Sequence, residues 1–232
     1  MPNMINTVSG LFEKAEKDVT NYPETMLPIP EIKEIFLFFP GGCGTLDKSI
    51  DIINKKFKYV FVGQDFGTKE LYTSRETIEG NKNYNPTVNN VCKFIDALKI
   101  QKNDCFFTNA FMGMRKDGKM TGKSPGWRDP DFKKKCQEFL KYQISILQPE
   151  IVFLLGSQTA SFISETYNVS DWEKIKDVKS LFKSGKFYKT IGGAKFIYMT
   201  HPSLRPTNIS KRWGLEGDKE LLLTRRLIDS LQ

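Results

Sequence analysis

The chain has 232 residues, of which 39% are hydrophobic and 27% are charged; this is the composition of a globular protein, and the length can bury a substantial core without disulfides or metals. Apolar residues never run for the roughly 18 positions that a membrane-spanning helix needs, and the N-terminal segment has no apolar run typical of a signal peptide. Lysine and arginine outnumber aspartate and glutamate by 35 to 27, which is equally consistent with a nucleic-acid partner and with an ordinary basic surface.

The predicted elements begin with an amphipathic helix over residues 4–20, followed by an extended, proline-rich connector over 21–30. A strand-like run at 35–39 comes next, and Asp47 is placed to cap a short helix that ends at Lys56.

Apolar runs of strand length then alternate with segments of helical periodicity. The four strands are predicted at 59–62, 105–108, 151–155 and 195–199. Helices are predicted from residue 86, from Asp129-Pro130, directly after Gly156-Ser157 and over about 216–230. Long loops are expected at 64–86 and 110–129, and an irregular, lysine-rich stretch with a hairpin near Phe187 at 170–194.

This alternation predicts an α/β fold, a three-layer α/β/α sandwich with a central four-stranded parallel sheet. We expect residues 1–232 to form a single domain, with the N-terminal helix and connector (residues 1–40) packed on it.

The four cysteines, Cys43, Cys92, Cys105 and Cys136, include no pair at the C-x-x-C spacing of zinc or iron–sulfur ligands. Their neighbours are largely apolar, as for small buried core residues. We therefore expect a reduced, cytoplasmic protein that holds neither metal nor cofactor.

Each predicted strand ends in residues suited to binding or catalysis. The four ends are Gly63–Asp65, Asn109, Gly156-Ser157 and His201–Ser203, the last with the only histidine of the chain. Because the carboxyl ends of parallel strands lie along one edge of a sheet, we expect these groups to gather there. A carboxylate, an amide, an imidazole and a helix start suit chemistry on a polar, planar ligand beside a phosphate.

The same segments, VGQD (62–65), FTNA (107–110), FLLGS (153–157) and THPS (200–203), resemble the motifs of the uracil-DNA glycosylase superfamily, in the correct order. The resemblance extends from about residue 58 to the C-terminus. It implies a parallel sheet between helical layers and an enzyme of base excision repair that cleaves the N-glycosidic bond of a damaged base in DNA, without metal or cofactor.

By this resemblance, Asp65 and His201 are the catalytic residues. Glycosidic cleavage places positive charge on the sugar, which a carboxylate stabilises, and the same carboxylate can orient or deprotonate the attacking water. An imidazole hydrogen bond would stabilise the departing base as an anion. The alternatives are a turn or cap aspartate and a purely structural histidine.

The resemblance also implies a base-binding set. The amide of Asn109 presents a donor beside an acceptor, which matches the O4 and N3–H edge of uracil and rejects cytosine. The backbone at Gly63 and Gln64 would face the base. Tyr72 is our choice for the aromatic platform under the flipped base, with Phe66 in reserve, although either fits a hydrophobic core equally well.

Contacts with DNA backbone are implied for the Gly156-Ser157 helix start and for the Ser203 hydroxyl. The loop after His201 corresponds to the wedge that enters the gap left by the flipped nucleotide. Leu204 is suited to that apolar task, and Arg205 is an alternative wedge or a phosphate ligand. Lys211 continues a basic stretch, which would otherwise be solvated surface.

The sequence departs from the best-studied branch of the family, which has proline and tyrosine after the aspartate where this chain has Phe66 and Gly67. That tyrosine excludes the methyl group of thymine, so a broader or different base specificity is open. Branches with iron–sulfur clusters use four cysteines at a spacing that this chain lacks, and the branch stays unassigned.

Our leading hypothesis is a monomeric, monofunctional glycosylase acting on deoxyuridine or a related lesion in single- or double-stranded DNA. A non-catalytic lesion-binding module of the same fold is the first alternative. A hydrolase of free nucleosides or nucleotides is the second, and the basic charge and the wedge-like loop argue against it.

Overall fold

The computed structural model describes residues 6–29, 49–70, 86–116 and 122–231. The helices are α1 Val8–Asp18, α2 Ile52–Lys55, α3 Pro86–Leu98, α4 Pro130–Leu147, α5 Ser157–Tyr167, α6 Val178–Lys183, α7 Arg205–Trp213 and α8 Lys219–Asp229. The strands are β1 Met26–Leu27, β2 Tyr59–Gly63, β3 Cys105–Asn109, β4 Met114–Arg115, β5 Ile151–Leu155, β6 Tyr188–Ile191 and β7 Ala194–Met199. Short 3-10 turns span Lys102–Asp104, Pro125–Arg128, Ser170–Trp172, Pro202–Leu204 and Gly214–Glu216.

The chain divides into two compact units. The first comprises residues up to 80 together with 103–149, and the second comprises 81–102 together with residues from 150 onward. The single-domain organisation stays a prediction. Among the described residues, no helix is both long and apolar enough to cross a membrane.

In the first unit, β2 and β3 pair in parallel, with Tyr59 opposite Cys105 and Gly63 opposite Asn109. Every residue of both strands is buried, because a parallel strand covered on both faces has no solvent side; this is why the sequence shows unbroken apolar runs there. The short strands β1 and β4 pair in antiparallel fashion.

Helix α4 begins where the sequence predicted. The Asp129 side chain accepts a hydrogen bond from the Phe132 amide at 2.9 Å, and Pro130 occupies the first turn, where no amide hydrogen is needed. The N-terminal segment packs on α4, because the Lys14 ammonium lies over the Tyr142 ring.

In the second unit, β5 and β7 pair in parallel, with Ile151 opposite Lys195 and Leu155 opposite Met199. β6 joins β7 as an antiparallel hairpin, and Gly192 and Gly193 make the turn with positive φ angles of 58° and 90°. Trp172 is fully buried.

The predicted α/β class is confirmed: all four predicted strands are present, paired in parallel within their units, and helices alternate with them. The hairpin near Phe187 is also present and contributes β6, an antiparallel strand that the four-stranded parallel prediction lacked. The start of the short helix was wrong, because α2 begins at Ile52 and is capped by Asp51, whose carboxylate accepts from the Ile53 and Asn54 amides. Asp47 and the run at 35–39 lie outside the described residues.

Replacing Asp129 with alanine should lower the free energy of unfolding by about 1 kcal/mol, because an amide at the start of α4 loses its acceptor. Asp129→Ser, which keeps a capping oxygen, should lose much less. Urea denaturation of both variants tests this, and equal losses would show that the cap is not the cause.

Candidate active site

The residues after β2 are bonded to the residues after β3, so the pairing continues beyond the strand ends. Four backbone hydrogen bonds at 2.7–3.3 Å form this extension: Ala110 N–H to Gly63 O, Phe111 N–H to Gln64 O, Phe66 N–H to Gly113 O, and Arg115 N–H to Gly67 O. The extension fixes the backbone around Gln64 and Asp65 against residues 110–115.

The carboxylate of Asp65 is buried in an ion pair with Arg115. Asp65 Oδ2 lies 2.8 Å from Arg115 Nε, and the two side chains are only 6% and 4% exposed. Asp65 Oδ1 accepts from the Gly67 amide at 3.1 Å. Burial raises the pKa of Asp65 above its ordinary value, while the charge and hydrogen bond of Arg115 oppose that rise.

Arg115 was missed by the sequence analysis. It lies 50 positions from Asp65 in a stretch predicted to be loop, where neither periodicity nor a motif marks it. The signal that was available is the rule that a buried carboxylate requires a compensating partner.

Arg115 also reaches the turn over residues 122–128. Its Nη2 donates to the Gly122 carbonyl at 3.1 Å, and the same carbonyl accepts from Gln64 Nε2 at 3.2 Å. The turn is packed tightly on Phe111, because a Cβ on Gly126 would lie 2.6 Å from that ring. The side chains of Gln64 and Arg115 are therefore fixed by one carbonyl.

Asn109, the last residue of β3, lies directly opposite Gly63. It is 2% exposed, and its Nδ2 is buried without a hydrogen-bond partner among the described residues. A buried donor left unpaired costs about 1–3 kcal/mol, so such a group suits an acceptor supplied by a ligand.

The two aromatic candidates have different outcomes. Tyr72 lies outside the described residues. Phe66 is buried, as a core residue is, and its amide donates to the Gly113 carbonyl; its role as a base platform stays a prediction.

In the second unit, the ends of β5 and β7 bring Gly156 and His201 together. The Gly156 amide donates to the Met199 carbonyl at 2.9 Å. A Cβ on Gly156 would lie 3.0 Å from His201 Cβ, and its φ of +96° also favours glycine. The imidazole thus packs directly on the strand-to-helix turn that precedes α5.

The environment of His201 favours a neutral ring. Burial lowers the pKa of His201 below its ordinary value of 6.5, so the imidazole is uncharged at pH 7. Its Nδ1 lies 2.8 Å from Ser203 Oγ. In the tautomer with hydrogen on Nε2, the Ser203 hydroxyl donates to Nδ1 and Nε2–H can donate to a ligand.

The structure argues against DNA contact by Arg205. This side chain is buried; Nη2 donates to both oxygens of Asp218 at 2.7 and 2.6 Å and Nη1 to Glu220 at 3.2 Å, while the guanidinium lies over the Phe94 ring. Leu204, by contrast, is 58% exposed. Of the two wedge candidates, only Leu204 is available to solvent.

Glu220 fixes the strand end that precedes His201. This buried carboxylate accepts from the Thr200 amide at 3.3 Å and from the Thr200 hydroxyl at 3.0 Å, and Arg205 and Arg212 pair with it. Two arginines therefore compensate its charge while its oxygens hold the backbone at Thr200.

The remaining DNA-contact candidates are at the surface. Ser157 is exposed at the start of α5, a helix whose first turn has no side-chain cap from a described residue, so its amides are suited to a phosphate. Lys211 is exposed on α7. Ser203 is exposed and contacts the imidazole.

Gly156→Ala should displace His201, because the added methyl group would overlap its Cβ. Gly185→Ala is the matched control, since Gly185 also has a positive φ, +72°, but open space around a Cβ. Both variants should lose about 1–2 kcal/mol of stability from backbone strain, and only Gly156→Ala should shift the imidazole NMR signals. His201 is the only histidine, so the signals need no further assignment; identical spectra in the two variants would contradict the packing.

The imidazole signals should titrate with a midpoint below 6.5, because burial disfavours the charged ring. As pH falls, the histidine of the unfolded chain binds a proton before that of the folded chain. The free energy of unfolding is therefore unaffected by this group above about pH 6.5 and decreases as pH falls toward the folded midpoint. NMR titration of the native protein measures this, and a midpoint at or above 6.5 would refute it.

The comparisons with known proteins agree with the motifs. The family model described as the uracil DNA glycosylase superfamily matches residues 50–223, more than half of the chain and all the described candidate residues. A search of curated proteins finds no significant match. The matched span includes both strand pairs described above, and the chain therefore belongs to the uracil DNA glycosylase superfamily.

Proposed function

We propose that this protein is a monofunctional glycosylase that flips deoxyuridine, or a related damaged nucleotide, out of DNA and hydrolyses its N-glycosidic bond. Membership of the superfamily supports glycosylase-type hydrolysis and a role in DNA repair at the family level. The observation that carries the finer assignment is the buried Nδ2 donor of Asn109, at the end of the fully buried strand β3, which has no hydrogen-bond partner within the described parts of the chain.

Base recognition is assigned to Asn109 and to the backbone that pairs with it. The Asn109 amide can donate to O4 of uracil and accept from N3–H, whereas cytosine presents the opposite pattern. Gly63 faces Asn109 across the strand pair, and Gln64 is held by the Gly122 carbonyl. The O4 atom would accept from Asn109 Nδ2, for which no residue of ranges 6–29, 49–70, 86–116 and 122–231 supplies an acceptor.

Cleavage is assigned to two groups that stabilise opposite charges, one on the sugar and one on the departing base. The Asp65 carboxylate stabilises positive charge on the sugar and orients the water that attacks it. The neutral His201 imidazole donates Nε2–H to the departing base, which carries the electron pair of the broken bond. A neutral donor suits this task because it needs no protonation at pH 7.

DNA capture is assigned to surface groups of the second unit. The α5 amides at Ser157 and the ammonium of Lys211 are suited to phosphates. Exposed Leu204 is suited to fill the space of the flipped nucleotide. Ser203 contributes by orienting the His201 ring through the Nδ1 contact, in addition to the phosphate contact expected from sequence.

A lesion-binding module without cleavage is the second candidate. It is favoured by the ion pair at Asp65, since Arg115 and the Gly67 amide already occupy one position on each carboxylate oxygen. A carboxylate so engaged fits a structural role as well as a catalytic one.

Base release from DNA containing uracil, mispaired thymine or other damaged bases separates these candidates. The wild-type protein should release base, and Asp65→Asn and His201→Ala should each slow single-turnover release about 10²–10⁴-fold. Asp131→Asn, an equal charge change at an exposed position of α4, is the control and should keep the wild-type rate.

Undiminished release by both Asp65→Asn and His201→Ala would refute the assigned roles. Salt-sensitive DNA binding without release of any base would support the binding module. Turnover of free nucleosides with little DNA affinity would support a nucleoside hydrolase.

A further inference from the structure

Burial creates a chemical problem at Asp65. A carboxyl group removed from water tends to take up a proton, and a neutral carboxyl neither stabilises a cationic sugar nor accepts a proton from water. With its side chain only 6% exposed, Asp65 can act as an anion only if hydrogen bonds and a fixed positive charge replace the water it has lost.

Arg115 meets this requirement from a rigid position. Its backbone is paired with Met26 in the β1–β4 ladder, its amide donates to the Gly67 carbonyl at 2.7 Å, and its Nη2 is anchored on the Gly122 carbonyl. Arginine stays protonated at every pH that the enzyme meets. The cation is therefore permanent, and its place is set by three separate contacts.

We propose that Arg115 is a positioning residue that keeps the Asp65 carboxylate ionised and oriented for glycosidic cleavage. The ion pair at 2.8 Å orients Oδ2, and the Gly67 amide orients Oδ1. A carboxylate offers about four acceptor positions; Arg115, the Gly67 amide and the Ser124 side chain use three of them, so one remains to accept from water. The kinetic consequence rests on the proposed function, whereas the ionisation of Asp65 does not.

Two variants separate the charge of Arg115 from its geometry. Arg115→Gln removes the charge, and Arg115→Lys keeps a charge but cannot contact Asp65 and Gly122 through one planar group. In Arg115→Gln, the Asp65 carboxyl should titrate at higher pH than in the wild type, because the opposing charge is gone. Arg115→Lys should give a smaller shift in the same direction.

The titration is followed by the ¹³C NMR signal of the Asp65 carboxyl, identified by its loss in Asp65→Asn. The rate of single-turnover base release is measured against pH in the same variants. Its acid limb should lie at higher pH than in the wild type, with a larger displacement in Arg115→Gln than in Arg115→Lys. Below that limb the rate should fall about tenfold for each pH unit of the shift.

Arg225→Gln is the matched control. Arg225 pairs with Asp229 at 3.1 Å on α8, with both side chains partly exposed, and this variant should change neither the Asp65 titration nor the rate profile. An Asp65 signal that titrates identically in Arg115→Gln and wild type would overturn the proposal, whether or not the protein releases base.

Circular dichroism checks whether Arg115→Gln folds. If it does not, Arg115→Lys decides the outcome. If Arg115→Lys folds and keeps the wild-type pH profile and Asp65 titration, the planar guanidinium is not needed and the proposed positioning role fails, because a retained charge alone accounts for the ionisation of Asp65. If Arg115→Lys folds with a displaced titration and profile, the proposal stands. A wild-type protein that releases no base refutes the proposed function alone, because the titration still decides whether Arg115 controls Asp65.

Discussion

The buried ion pair between Asp65 and Arg115 is the interaction on which the candidate catalytic loop depends. Removing two charges from water costs several kcal/mol for each, and only good geometry with further hydrogen bonds compensates that cost. The fold supplies this geometry through the backbone ladder beyond β2 and β3. Because the guanidinium also contacts the Gly122 carbonyl, which Gln64 shares, the ion pair joins the loop after β2 to the turn over residues 122–128.

The second unit uses the same physical device. Glu220 is buried, paired with Arg205 and Arg212, and bonded to the backbone and hydroxyl of Thr200. In the first unit the compensated buried carboxylate is the candidate catalytic residue Asp65 itself, whereas in the second unit Glu220 fixes the chain at Thr200, next to His201. Arg115 and Arg205 are buried in these ion pairs and Arg212 is largely covered, so the positive charges best placed for phosphates are exposed ones such as Lys211.

The sequence predicted those elements whose local pattern has one physical explanation. Strands buried on both faces give unbroken apolar runs, and Asp129-Pro130 has both a capping oxygen and a proline suited to the first turn. The sequence did not predict contacts between residues that are far apart in the chain. Arg205 lies in the segment expected to contact DNA, but it forms ion pairs with Asp218 and Glu220, which are 13 and 15 positions away. The start of α2 was missed because Asp47 and Asp51 are both suitable caps.

Gly67, which replaces the tyrosine of the best-studied branch, is bonded through its backbone to both members of the Asp65–Arg115 ion pair. Gly67 has a positive φ of 76°, and this conformation lets its carbonyl accept from the Arg115 amide while its own amide donates to Asp65. A tyrosine in the left-handed region costs about 1–2 kcal/mol, so the side chain that excludes thymine in the best-studied branch conflicts with this backbone. If the protein is the glycosylase proposed above, position 67 therefore cannot exclude thymine with a tyrosine, and the proposed selectivity rests on the Asn109 amide and the surrounding backbone.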